Sequence, residues 1–202
     1  MKRRLAPIML AGLFVPGTLA HAQFAGERRG EWFTFGGARS SWRISCNECP
    51  RAGSFTTPTI ALGFGGTLNP HVRLGFDMVA AWVNTPGDTS IQAGNVTLLA
   101  RYYPAVHSGL FVEGGLGWSE DQVSVPGRDA GLGVGWGFTI GIGSEIPRWS
   151  KVALVPRLSY HYGSVGDLTY PRGGNTVAPN WSHAMLLVGI ALEFNVSRFA
   201  GP

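Results

Sequence analysis

The chain has 202 residues, of which 45% are hydrophobic, 11% aromatic and only 14% charged, with 30 Gly and 13 Pro. That balance excludes a disordered tail, and it argues against a soluble helical enzyme, whose surface would be rich in Ala, Glu and Lys. A single all-β domain is favoured, and the formal charge of +4 turns out to reside largely in the first few residues.

Met1-Lys2-Arg3-Arg4 is a basic start, residues 5–19 are apolar but too short and Pro-broken to cross a bilayer, and Ala20-His21-Ala22 is a small-x-small cleavage site. Residues 1–22 therefore read as a secretory signal peptide, and 23–202 as the mature domain. Cleavage removes three of the 16 basic residues and leaves 13 against 12 acidic ones. The remaining arginines are scattered, so nucleic acid is not an expected partner.

No run of about 18 apolar residues follows the leader. Instead, eight segments of alternating hydrophobicity are separated by turn residues, at 31–43, 57–68, 72–83, 95–104, 110–119, 132–146, 151–164 and 182–196. Each is long enough to cross a bilayer as a tilted strand. Successive side chains of a strand face opposite ways, and the last segment divides cleanly. Ala184, Leu186, Val188, Ile190, Leu192 and Phe194 share one face; His183, Met185, Leu187, Gly189, Ala191, Glu193 and Asn195 share the other. In the third segment Leu74, Phe76, Met78 and Trp82 oppose Arg73 and Asp77.

Parity alone does not say which face lies inside a barrel, but size does. An eight-stranded barrel has a narrow interior, and the face opposite the bulky apolar one carries Gly63, Gly65, Gly75, Gly115, Gly117, Gly133, Gly135, Gly137, Gly141 and Gly143 together with the charges. Small and charged residues are expected inside, and large apolar ones against lipid. The expected lumenal charge network is Arg39, Arg43, Arg73, Asp77, Arg101, Glu113, Glu145, Arg157 and Glu193, with Glu31 and Lys151 on the same face. The fold expected is an all-β, eight-stranded, antiparallel, up-and-down transmembrane barrel.

Connections alternate in length. Residues 69–71, 105–109 and 147–150 are short; 44–56, 84–94, 120–131 and 165–181 are longer and rich in Gly, Pro, Asp and Asn. Outer-membrane barrels pair short periplasmic turns with long external loops, which puts both termini in the periplasm. Trp42, Trp82, Tyr102, Tyr103, Trp118, Trp149, Tyr160, Tyr162 and Trp181 lie near segment ends, where aromatic girdles form.

The eight segments, the leader and the closing strand 185–194 together resemble the small outer-membrane β-barrel proteins of Gram-negative bacteria, of the OmpA-like and OmpX-like kind. The resemblance covers nearly all of the mature chain. It implies residence in the outer membrane, contact with its lipid and lipopolysaccharide, and passage through the outer-membrane assembly machinery. That family commonly ends on an aromatic residue read during assembly; here Phe194 or Phe199 would serve.

The remaining candidate sites are few. Cys46-Asn-Glu-Cys49 lacks a second Cys pair or nearby His pair to complete a zinc site, and in an exported chain it is expected to be a disulfide closing a small loop. The glycine file 131–137 has the period of a strand face and lacks the spacing of a phosphate loop. His161-Tyr-Gly-Ser164, followed by Pro179-Asn180, is similar to the His and Ser of outer-membrane lipid A deacylases, but the separation of three puts His161 and Ser164 on opposite faces. Ser159 shares the face of His161, with Glu193 a candidate third member.

These features lead to an outer-membrane barrel with a structural or surface-interaction role carried by its external loops, without enzymatic activity and with no cofactor implied. A narrow small-solute channel is the first alternative and a lipid-modifying hydrolase the second. No loop motif identifies an external ligand.

Overall fold

The computed structural model describes residues 28–47, 54–85, 88–127, 131–149, 151–170 and 176–196; the expected leader, Cys49 and Phe199 lie outside them. The strands are β1 (Glu31–Ser45), β2 (Ser54–Asn69), β3 (Val72–Thr85), β4 (Thr89–Tyr102), β5 (Leu110–Ser124), β6 (Gly131–Ser144), β7 (Ile146–Trp149), β8 (Val152–Thr169) and β9 (Thr176–Val196). All pairings are antiparallel, in the order β6-β5-β4-β3-β2-β1-β9-β8-β7. A further pairing of β6 with β8 closes the sheet. The short β7 continues the line of β6 past Glu145 and pairs with the start of β8, so the nine strands make eight walls. The 147–150 segment expected as a turn is thus mostly strand.

Closure removes every open sheet edge and satisfies the backbone without water, which is what lets a sheet sit in hydrocarbon. Among the outward side chains, Leu116, Trp118, Val188 and Val134 are 70%, 63%, 62% and 57% exposed. Apolar residues of this kind run round the whole outer wall, from Phe33 and Phe35 on β1 to Ile190 and Phe194 on β9. A water-soluble monomer rarely bears apolar patches beyond a few hundred Å². The wall is a lipid-facing one, and the chain is a transmembrane barrel.

The strands run past this belt. A strand tilted as in such barrels climbs about 2.5 Å per residue, so roughly ten residues cross an apolar band about 25 Å tall. Strands of 14 to 21 residues therefore project beyond it at the end away from the short turns. This is why the expected long loops are shorter than their Gly, Pro and Asn content suggests. Several such residues sit in or beside bulges, as at Gly166 and Asn180, whose φ values are +71° and +52°, and the ladder of β8 with β9 continues through them.

The interior is fitted by pairing bulk with absence. Trp32 points inward, and a Cβ placed on Gly65 or Gly75 would approach its ring to 2.8 or 2.7 Å. A Cβ on Gly141 would meet the Glu113 carboxylate at 2.8 Å. Gly75→Val is therefore expected to lower unfolding stability in urea by about 2 kcal/mol through overpacking. Gly66→Val, where a side chain meets nothing within 4 Å, should leave the midpoint unchanged; equal effects of the two would contradict this packing.

Candidate functional site

The lumen holds the chain's charge. At the turn end Arg28, which precedes β1, is folded into the barrel mouth and almost wholly buried. Its guanidinium donates to Glu145 at 3.1 Å and to the carbonyls of Val106, Ser108 and Pro70 at 3.1, 3.0 and 3.4 Å. It also lies 3.7 Å over the Tyr103 ring. Pro70 belongs to the β2–β3 turn, and Val106 and Ser108 to the β4–β5 turn, so one side chain ties two turns to the β6–β7 junction.

From this clasp an unbroken alternation of charge runs up the barrel. Glu145 accepts from Arg28 and from Arg73 at 2.7 Å. Arg73 also pairs with Glu193, and Glu193 accepts from Arg101 at 2.7 Å. Arg101 donates to Glu113 at 3.0 Å, Glu113 accepts from Arg157, and Arg157 holds Asp77 with both Nη atoms at 2.8 and 2.9 Å. Four arginines meet four carboxylates, and every member except the terminal Arg28 and Asp77 has a partner on each side. The flat faces of the cations are used too: Arg101 lies 4.6 Å over Trp32 and 4.8 Å over Phe111. In a narrow, buried interior an unpaired charge costs several kcal/mol, so this mutual compensation is what makes so charged a lumen tolerable.

Above this chain of charges lies a further layer of polar side chains. His161 has Ser159 Oγ 3.0 Å from Nε2 and Thr139 Oγ1 2.8 Å from Nδ1. Further up, Asp121 accepts from Trp181 Nε1 at 2.6 Å and pairs with His183 Nδ1 at 2.8 Å, while His183 Nε2 meets Asn95 Oδ1 at 2.8 Å. The loop end is apolar inside, where Trp42, Ile44, Val79, Leu168, Met185 and Leu187 form one buried cluster. Large apolar groups therefore occupy the lumen as well as the wall, contrary to the expectation of a purely small and charged interior.

Of the nine expected network residues, Arg73, Asp77, Arg101, Glu113, Glu145, Arg157 and Glu193 meet in this chain of charges. Arg39 and Arg43 do not: both are exposed on the outer wall. The reason is parity. Odd-numbered residues of β1 include Phe33 and Phe35, which face lipid, and the same face continues to Arg39 and Arg43. The inward face carries Trp32, Thr34, Ser40, Trp42 and Ile44. Glu31 and Lys151 are likewise exposed. Trp42, Tyr103 and Trp181, expected in the girdles, are buried in the lumen, whereas Trp82, Tyr102, Trp118 and Trp149 face outward.

Arg28, Asp121 and His183 are absent from the expected network. Asp121 has a signal, since it lies an even number of residues from Glu113 and so shares its face. Arg28 has none, because it lies before the first alternating segment. Cys46 is disulfide-bonded; its expected partner Cys49 is outside the described residues. No group of His, Cys, Asp and Glu suited to a metal ion occurs among the described residues.

No family model and no curated protein sequence matches the chain. Solved structures do. The Neisserial surface protein NspA is 16% identical at a TM-score of 0.56, covering 83% of this chain and 97% of its own. Ail, the attachment invasion locus protein of Yersinia pestis, is 13% identical at 0.56, covering 82% and 99%. The outer membrane protein AlkL is 12% identical at 0.51, covering 100% and 99%. At these identities the similarity is one of fold, that of small outer-membrane barrels.

Glu193→Gln preserves the shape of the side chain but leaves the lumen with one uncompensated positive charge. It is expected to cost about 3–5 kcal/mol in reversible urea unfolding, and Arg28→Ala about 2 kcal/mol through the bonds lost at the mouth. An unchanged midpoint for Glu193→Gln would mean that water, rather than the paired side chains, solvates these charges.

Proposed function

We propose that this chain is an outer-membrane barrel that neither conducts nor catalyses, and that acts as a structural or surface-interaction protein through its loop end. The observation that carries the reading is that the lumen is filled at two separate depths by unlike means. Ions entering from the turn end meet paired guanidiniums and carboxylates, and beyond them the dry cluster around Trp42 and Met185. A conducting path would have to break both.

The apolar outer wall and the basic, cleavable start of the sequence support residence in the outer membrane with the turn end in the periplasm. On this reading the chain reaches its site through the outer-membrane assembly machinery, and its wall contacts lipid and lipopolysaccharide. The hydrolase alternative loses support from the surroundings of Ser159 and His161. Both are fully enclosed in the lumen, and the ring nitrogen that a catalytic carboxylate would orient faces the Thr139 hydroxyl instead. Glu193 is engaged by Arg73 and Arg101.

Planar-bilayer recording of the folded protein, with insertion verified separately, tests the reading. It predicts a silent membrane. Reproducible current steps that change in an Arg101→Gln/Arg157→Gln double variant would overturn it in favour of a pore. In cells, Ser159→Ala is expected to leave the acylation of lipopolysaccharide unaltered, and the protein to fractionate with the outer membrane.

A further inference from the structure

We propose that Arg39 and Arg43, on the outer wall of β1, form a binding site for the phosphorylated headgroup of an outer-leaflet lipid. The inference rests on the proposed outward placement of the loop end, and it assigns the lipid contact to particular residues. Along the outward face of β1 the order is Phe33, Phe35, Gly37, Arg39, Ser41, Arg43. At about 2.5 Å of height per tilted residue, Arg39 stands roughly 10 Å and Arg43 roughly 20 Å outward of Phe35. The register shows where the apolar wall ends. Arg39 lies between Val188 of β9 and Pro58 of β2, whereas Arg43 lies between Ala184 and Ser54.

These two cations differ from the lumenal ones in having no carboxylate partner among the described residues. Arg28, Arg73, Arg101 and Arg157 each pair with at least one carboxylate. Neither Arg39 nor Arg43 forms an ion pair among the described residues, and they are the only basic groups there that face outward in the loop-end half of the wall. A guanidinium at the edge of hydrocarbon is tolerated when its long stem lies along apolar surface and its head reaches polar neighbours. Here Arg39 stands in register with the outward Val188 and Pro58, so its stem has apolar neighbours on both sides.

The chemistry of the patch selects the occupant. Two guanidinium forks four residues apart on one strand offer paired N–H donors matched to phosphate oxygens. Ser41, Ser54 and Thr56 share that outward face and add hydroxyls beside them. Leu186, Val188 and Ile190, all outward and exposed, stand level with Ser41, Arg39 and Gly37, and the outward Phe35 and Phe33 lie below, which provides an acyl-chain surface continuous with the cationic pair. A cationic, hydroxyl-lined upper part above an apolar lower part fits an anionic lipid standing upright against the wall. The outward carboxylate of Glu120, on β5 of the opposite side, makes a second copy of this chain the competing occupant.

The test uses the full mature chain, folded in micelles, with diphosphoryl lipid A as the probe and native mass spectrometry as the readout. The proposal predicts a retained lipid, at least tenfold weaker retention in Arg39→Gln/Arg43→Gln, and substantial recovery in Arg39→Lys/Arg43→Lys. Fully dephosphorylated lipid A should bind at least tenfold more weakly than the phosphorylated form, and Glu120→Gln should bind as the parent does. Folding of each variant is read from the mobility difference of heated and unheated samples. Equal retention by the glutamine variant, or equal binding of dephosphorylated lipid, would overturn the proposal. So would inorganic phosphate displacing the lipid at equimolar concentration, which would indicate a free-anion site. A dimer lost in both the arginine variant and Glu120→Gln would overturn it in favour of a second copy. Outer-membrane fractionation reads the underlying placement separately, since a failure there leaves the micelle result intact.

Discussion

The interior of this barrel depends on the carboxylate of Glu193. It projects from β9, is completely buried, and receives Arg73 from β3 and Arg101 from β4, so it spans the lumen and holds two arginines at once. Each of those arginines completes its needs with a second carboxylate, Glu145 or Glu113. The same demand repeats in both directions until it ends at Arg28 and Asp77. Pairing therefore propagates because no member could be left uncompensated at such depth. The result is that the strands contributing charges are tied to one another across the lumen.

β1 and β2 contribute no charge to this chain and act by shape. Trp32 of β1 fills the space over Gly65 and Gly75 and supplies a ring face to Arg101. Where glycine stands on one wall, a large side chain from another wall occupies the vacancy, so the interior is filled although many of its residues are small. Towards the loop end the space is filled instead by apolar groups around Trp42 and Met185. The turn end is closed by Arg28, which joins the turns at Pro70 and Val106.

Much of this is legible in the alternation of residues, because a strand's two faces see different solvents. The separation of Leu74, Phe76 and Trp82 from Arg73 and Asp77, or of Val188 and Ile190 from Glu193, comes directly from a period of two. The failures have equally physical causes. On β1 the face that meets lipid at Phe33 and Phe35 meets the polar boundary eight residues on, so Arg39 and Arg43 share a face with apolar residues at a different depth. Charge there marks height along the wall rather than the lumen. Trp42 and Trp181 lie near segment ends, which suggests girdles, but their inward parity is the better guide. The strand ends escape the pattern because Gly166 and Asn180 read as loop residues, whereas a bulge uses the same residue types without ending the ladder. Arg28 belongs to no periodic element, so nothing in the pattern can reveal it.

The barrel's interior is occupied by groups that pair with or pack against one another, and on the proposed function this leaves its outer surfaces for interaction. The lumenal guanidiniums of Arg73, Arg101 and Arg157 are each held by carboxylates, an arrangement that shields them from water. The most direct measurement is the solvent-exchange rate of the Nε–H groups of Arg73, Arg101 and Arg157, by NMR of the folded protein in lipid. Resolved, slowly exchanging signals that collapse together in a Glu193→Gln variant are the predicted result. Rapid exchange, equal to that of exposed arginines, would contradict it and would mean that water runs through the barrel.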